Sequence, residues 1–222
     1  MKATPPPRRG GAGRLPGRTL PVSFYVRNTL QVAREVLGCL LCRREEDGTW
    51  SVGRIVETEA YVGESDPACH AAAGRTPRTR VLFGPPGRAY VYFTYGMHHL
   101  VNFVTEKEGF PAAVLVRAVR PEWGIDSMMR RRSRERLLDL ASGPSRLCQA
   151  MGIDLSLNEA ALTGPELVVR DDGGGSVPVE VGPRVGIRAG TDRPWRFWVA
   201  SDPYVSRGRP GPPSAGRRGK VG

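Results

Sequence analysis

The stretch RIVETEAY, residues 54–61, sets two carboxylates, Glu57 and Glu59, one residue apart and follows them with Tyr61. The β-branched Ile55 and Val56 that lead into it mark a strand, and alternate side chains of a strand share a face. Glu57, Glu59 and Tyr61 are therefore expected on one side, with the acids roughly 7 Å apart. Carboxylates at that separation suit hydrolysis of a glycosidic bond, where one activates water and an acid assists departure of the leaving group. An acid beside an aromatic ring in a partly dry pocket also stabilises positive charge building on a sugar. An arginine such as Arg54 or Arg117 is expected to pair with one of the two. One acid then works and one supports.

A second group of residues suggests where a flat ring could be held. In RAYVYFTYGMHHLVNFV (88–104), Tyr90 and Tyr92 alternate along a strand and share a face, whereas Tyr95 falls at a turn. An aromatic at a hairpin tip has little core to enter and can project as a wedge of the kind that parts base steps in duplex DNA. The plain alternative is a partly exposed tip residue with no role.

These residues need a frame. NTLQVAREVLG (28–38) reads as a helix, with Asn28 as its cap, an apolar stripe of Leu30, Ala33, Val36 and Leu37, and Gly38 as its stop. Two strands follow, joined through Asp47-Gly48, a strong hairpin signal. Asp66-Pro67 is suited to opening a short helix, and 74–88 reads as loop. AAVLVRAVRP (112–121) is a near-continuous apolar strand carrying Arg117; residues 122–162 read as helical, and 166–206 as short strands. The pattern predicts an α+β fold: a single compact domain over 20–206, with a curved, mostly antiparallel sheet flanked by helices and a projecting β-hairpin.

Composition bounds the function. The net charge is +11, but residues 1–19 hold +5 and residues 207–222 another +5, which leaves +1 for the rest. Both ends are rich in Pro and Gly and are expected to be disordered basic tails that meet polyanions through salt-sensitive phosphate contacts. No apolar run approaches the ~20 residues of a membrane span, and the N-terminus lacks a secretion signal. The expected location is the cytoplasm, in association with the nucleoid if the partner is DNA. Cys39 and Cys42 form a CxxC with no second pair, and the three histidines supply no HExxH, so no metal site is expected. A carbohydrate glycosidase would leave the Tyr95 wedge without purpose. A non-catalytic nucleic-acid-binding module would place Glu57 and Glu59 on its stacking face, where they repel phosphate.

RIVETEAYVGESDPACH, GRTPR, YVYFTYGMHHLVN, LVRAVRP and GPSRLCQAMGI, in that order, resemble the alkyladenine (3-methyladenine) DNA glycosylase family, and RVGIRAG with WRFWVASDPYVS resembles its C-terminal part. The resemblance covers essentially all of residues 20–206. It implies a bacterial repair enzyme that flips alkylated or deaminated purines out of duplex DNA and hydrolyses the N-glycosidic bond, leaving an abasic site. It implies Glu59 as the general base, with Arg117 holding the water and the carboxylate. Tyr61, His70 and Tyr92 become the slot for the flipped base, and Asn102 the residue that crowds normal guanine. Tyr95 becomes the wedge that fills the helix, with Met97, Arg75 and Arg78 counted beside it as DNA contacts. No cofactor or metal is implied, and the partner is damaged double-stranded DNA, met by a monomer. The chain departs from the pattern at Ala71-Ala72-Ala73, Thr79 and His98–Val101. A strand-nicking reaction would need an amine. The only lysines are Lys2, Lys107 and Lys220, none in the motif cluster, so a monofunctional enzyme is expected.

Overall fold

A computed structural model describes residues 13–94 and 96–206. Among the described residues nine strands form one sheet in which every named pairing is antiparallel. In chain order they are β1 (Arg18–Thr19), β2 (Leu40–Arg44), β3 (Trp50–Val62), β4 (Ala89–Thr94), β5 (His98–Val104), β6 (Ala112–Trp123), β7 (Leu167–Asp171), β8 (Val179–Gly182) and β9 (Arg196–Val199). Their spatial order is β1-β7-β2-β3-β6-β5-β4, and the β8–β9 hairpin joins β3 beyond the end of β2. Four α-helices accompany them: α1 (Val22–Tyr25), α2 (Thr29–Glu35), α3 (Ile125–Arg132) and α4 (Pro144–Met151). The architecture is the α+β domain expected.

Local chemistry explains the elements. The Asn28 side chain accepts from the Leu30 amide and starts α2, which stops at Glu35, three residues short of Gly38. Between β2 and β3, Gly48 takes a φ of +80° and Asp47 accepts from the Thr49 amide, the turn that the Asp-Gly pair promised. The β4–β5 hairpin turns on Gly96, at φ +67°.

Strict alternation splits the sheet into two jobs. Val91, Val101, Phe103, Val114, Val116 and Ala60 face a core completed by Val32 and Ala33 of α2 and by Leu147 and Met151 of α4. Their neighbours Tyr90, Tyr92, Asn102, Leu115, Arg117 and Tyr61 face the other way and line a cavity. One face holds the fold and the other holds the site.

Several expectations need correction. No helix opens at Asp66-Pro67; Asp66 instead spends its carboxylate on the Val62 and Ala68 amides and on Arg184, and a short 3-10 helix begins at His70. The 74–88 segment carries a 3-10 turn at Arg80–Phe83. The 122–162 region is two helices with 3-10 turns at Leu137–Asp139 and Leu155–Leu157, and β6 runs on to Trp123. Arg18 and Thr19, assigned above to the N-terminal tail, pair with Asp171 and Arg170 of β7, so the folded unit starts before residue 20. Residues 1–12 and 207–222, the greater part of both expected tails, lie outside the described residues. Among the described residues no helix is long and apolar enough to cross a membrane.

Candidate active site

The β3–β6 ladder is irregular where the chemistry was expected. Ile55 pairs with Val119, Glu57 with Ala118 and Thr58 with Val116, so Val56 and Arg117 each fall outside the register. The two irregularities cancel and alignment resumes. Such bulges re-aim a side chain, and here Arg117 is aimed across the sheet at both acids.

Arg117 Nε lies 2.7 Å from Glu57 Oε1 and its Nη1 lies 3.2 Å from Glu59 Oε2. Glu57 and Glu59 are both fully buried, yet their surroundings differ. Glu57 accepts from Arg117 Nε, from Arg196 Nε at 2.8 Å, and from the Ser206 hydroxyl and amide at 2.9 and 2.7 Å. Three of those four donors converge on Oε1 and the Ser206 amide alone meets Oε2. Glu59 accepts from the Tyr61 hydroxyl on Oε2 at 2.8 Å and from the Val185 amide on Oε1 at 2.6 Å, and its Oε2 forms the ion pair with Arg117. Glu59 does not itself line the cavity; Tyr61, Arg117 and Val185, its three partners, do, so the carboxylate sits directly behind the floor.

Charge states follow from these contacts. Burial lowers the Arg117 pKa, but the charges of Glu59 and Glu57 outweigh it, so the net shift is upward and the guanidinium stays charged. Burial first, and Glu59 second, push the Tyr61 phenol well above its ordinary range, so it donates to the carboxylate.

The cavity measures about 490 Å³, within the range of small-ligand pockets. His70 enters from its 3-10 turn, with Nδ1 3.0 Å from the Tyr90 hydroxyl and its ring 4.6 Å from that of Tyr92. Burial, then the positive charge of Arg78, lower the His70 pKa, so the ring is neutral at pH 7. Tyr92 packs 5.3 Å from Tyr90, and burial raises its pKa. Asn102 is buried on β5 and is fixed by donating Nδ2 to the Tyr90 carbonyl at 3.0 Å. The structure thus gathers Tyr61, His70, Tyr92, Asn102 and Arg117 around one space, with Glu59 behind it.

The expected DNA contacts sit outside this group. Met97 is 69% exposed at the β4–β5 tip. Arg78 is exposed, with its guanidinium carbon 5.2 Å from the Tyr92 ring centroid, and Arg75 is exposed against Phe83. Neither arginine lines the cavity. Tyr95 lies outside the described residues. Among the described residues no group of three or more His, Cys, Asp or Glu side chains is gathered as a metal would require.

Sequence reasoning missed the Val185 amide, Arg196 and Ser206. A backbone N–H has no residue-type signature, and Ser206 stands at the edge of an arginine-rich stretch that drew attention only for its charge. RVGIRAG, quoted above for its resemblance, was the available signal for Val185.

Residues 23–203 match the family model described as methylpurine-DNA glycosylase (MPG). The chain is therefore a DNA-repair glycosylase, an enzyme that acts on DNA. Relatives agree over nearly their whole lengths. A Myxococcus xanthus protein is 51% identical over 197 residues, covering 86% of this chain and 95% of the relative. A Methanocella arvoryzae protein is 48% identical, covering 86% and 98%, and one from Chlorobaculum parvum is 44% identical, covering 92% and 98%. All three carry the name "Putative 3-methyladenine DNA glycosylase". The chain belongs to the methylpurine-DNA glycosylase family.

Proposed function

We propose that the enzyme flips alkylated or deaminated purines, of the 3-methyladenine type, out of duplex DNA into the aromatic cavity and hydrolyses their N-glycosidic bond with water. Glu59 is the general base. The observation that carries this assignment is the contrast between the two buried acids: Glu57 is tied by four hydrogen bonds to Arg117, Arg196 and Ser206, the last two away from the cavity, whereas Tyr61, Val185 and Arg117, the partners of Glu59, all line it. A charged Arg117 and a protonated Tyr61 hold the Glu59 carboxylate in place, and fixed dipoles of this kind need no reorganisation as charge develops on the sugar.

Tyr61, His70 and Tyr92, all lining the cavity, form the proposed stacking slot. Electron-rich rings attract a purine made cationic by alkylation, and extrusion costs least for a poorly paired, damaged base. Asn102, pinned by the Tyr90 carbonyl, is a rigid block against the exocyclic amine of guanine. Tyr95, with Met97 beside it, fills the gap in the duplex, and Arg75 and Arg78 meet phosphates. Because one chain supplies every named residue of the cavity, the proposed working species is a monomer located with its DNA substrate in the nucleoid.

The test is Glu59→Gln in single-turnover excision on duplexes that each carry one defined lesion. The rate constant should fall by about 10³-fold while lesion-duplex binding persists. Equal rates for the variant and the parent would end the assignment. Borohydride should trap no covalent adduct; a trapped adduct would exclude the monofunctional route.

A further inference from the structure

We infer that the buried Arg184–Asp66 pair is a positioning device that delivers the Val185 amide and the Tyr61 hydroxyl to Glu59. The inference rests on the proposed role of Glu59 and extends it to residues with no access to substrate.

Arg184 is fully buried, as is Asp66, and the two form a bidentate pair with Nη1–Oδ2 at 2.6 Å and Nη2–Oδ1 at 2.8 Å. The other Nη hydrogens go to two backbone oxygens. Nη1 donates to Ala60 O at 3.0 Å, and Ala60 is the residue between Glu59 and Tyr61. Nη2 donates to Gly190 O at 3.3 Å, at the far end of the 185–189 segment that forms one cavity wall. The flat face of the fork lies 4.7 Å from the Tyr61 ring centroid and 5.2 Å from that of Trp195. Asp66 is held in turn by the Val62 and Ala68 amides, and Arg193 Nη1 approaches it at 3.7 Å.

A single side chain thus joins the strand carrying the acid, the ring that bonds the acid and both ends of the wall. The residue after it, Val185, gives its amide to Glu59 Oε1. Stability alone does not call for this arrangement. A buried ion pair is often no better than a well-packed apolar replacement, and Arg184 Nε is buried without a hydrogen-bond partner among the described residues. Planar bidentate geometry is what only arginine supplies here; a lysine keeps the charge and loses the fork. Misplacement of reacting groups by an ångström lowers a rate steeply, even when its cause is remote.

The experiment compares full-length Arg184→Lys and Asp66→Asn with the parent in single-turnover excision at saturating enzyme. The duplex carries the lesion that the parent excises fastest. The first-order rate constant of both variants should fall at least ~10-fold, while affinity for an uncleavable lesion duplex stays within ~3-fold. A purely structural role lowers the amplitude, the active fraction, and leaves the rate constant alone. Val169→Ala, a core truncation in β7, supplies that pattern as a control. If both variants fail to fold, Trp195→Leu, which removes one stacking surface and leaves both charges, carries the same two outcomes with an expected fall of ~3-fold. Parental rate constants with losses only in amplitude overturn the inference. Glu59→Gln, run alongside, separates the two ideas: its silence with unaffected Arg184→Lys defeats the positioning role alone, and its full activity defeats the reading of Glu59.

Discussion

Behind the floor of the cavity Glu57 and Glu59 are wholly shielded from solvent, and Arg117, which lines it, nearly so, each tied to at least three partners. At the tip of the β4–β5 hairpin Met97 is 69% exposed and Phe93 is 44% exposed. The floor is complete before any ligand arrives, and its charges are fixed in place. The rim offers exposed apolar surface and arginine heads, Arg78 over Tyr92 and Arg75 against Phe83, that are open to a partner. Floor substitutions should therefore show up in rate constants and fold stability, and rim substitutions in affinity.

Arg117→Lys should have the largest effect. One ammonium cannot reach Glu57, Glu59 and Ser206 together, so the single-turnover rate constant should fall by about 100-fold or more. A variant within a factor of two of the parent would place the chemistry somewhere other than this floor.

Glu57→Gln should dissociate stability from chemistry. It keeps the shape but leaves Arg196 without its carboxylate, and breaking a buried pair costs about 3 kcal/mol at the low end of the usual range. Urea denaturation should show that loss in the midpoint, with a much smaller fall in rate constant than Arg117→Lys gives. A rate loss matching that of Arg117→Lys would mean that the two acids act as one unit.

That division of labour between the acids was only partly legible in the sequence. Alternation along 57–61 placed both carboxylates and Tyr61 on one face, and the pairing of one acid with Arg117 was foreseen. Spacing left open which acid works, and only the resemblance pointed to Glu59, because the ties that hold Glu57 come from Ser206 and Arg196, 149 and 139 residues away from it. The hairpin, the α2 cap and the long apolar strand were readable because local backbone preference determines them. The Asp66-Pro67 helix does not form for the opposite reason: Asp66 meets the Ala68 amide as a cap would, but its carboxylate is also tied to Val62 and to a distant Arg184, and the helical turn begins only at His70. Ladder irregularities at Val56 and Arg117 have no local signature, as neither position carries Gly or Pro.

Two rim substitutions sharpen the comparison by separating charge from apolar contact. Arg78→Ala should reduce the slope of log affinity against log salt by about 0.9, the loss of one phosphate contact. Met97→Ala should weaken binding by about 3-fold with no change in that slope, as loss of an apolar wedge does. Both should leave the rate constant of bound enzyme near that of the parent. A salt slope that moves with Met97→Ala and not with Arg78→Ala would reverse the assignment of the two residues.

The smallest effect lies where floor and rim meet, at His70. Burial, and then the charge of Arg78, hold its pKa below the ordinary 6.5. The unfolded chain then binds the proton more readily than the folded one, so stability contributed by neutral His70 is complete above about pH 6.5 and declines as pH falls toward the folded value. Melting temperature followed from pH 7.5 down to 5.5 should therefore drop more for the parent than for His70→Gln, which has nothing to titrate. Arg78→Ala removes one of the two causes and should bring the folded titration closer to 6.5, so its acid-side drop should be intermediate. The histidine ring resonances report the same shift directly by NMR. If Arg78→Ala leaves the His70 titration in place, the rim arginine has no electrical hold on the wall, and the coupling between the two regions is confined to the stack on Tyr92.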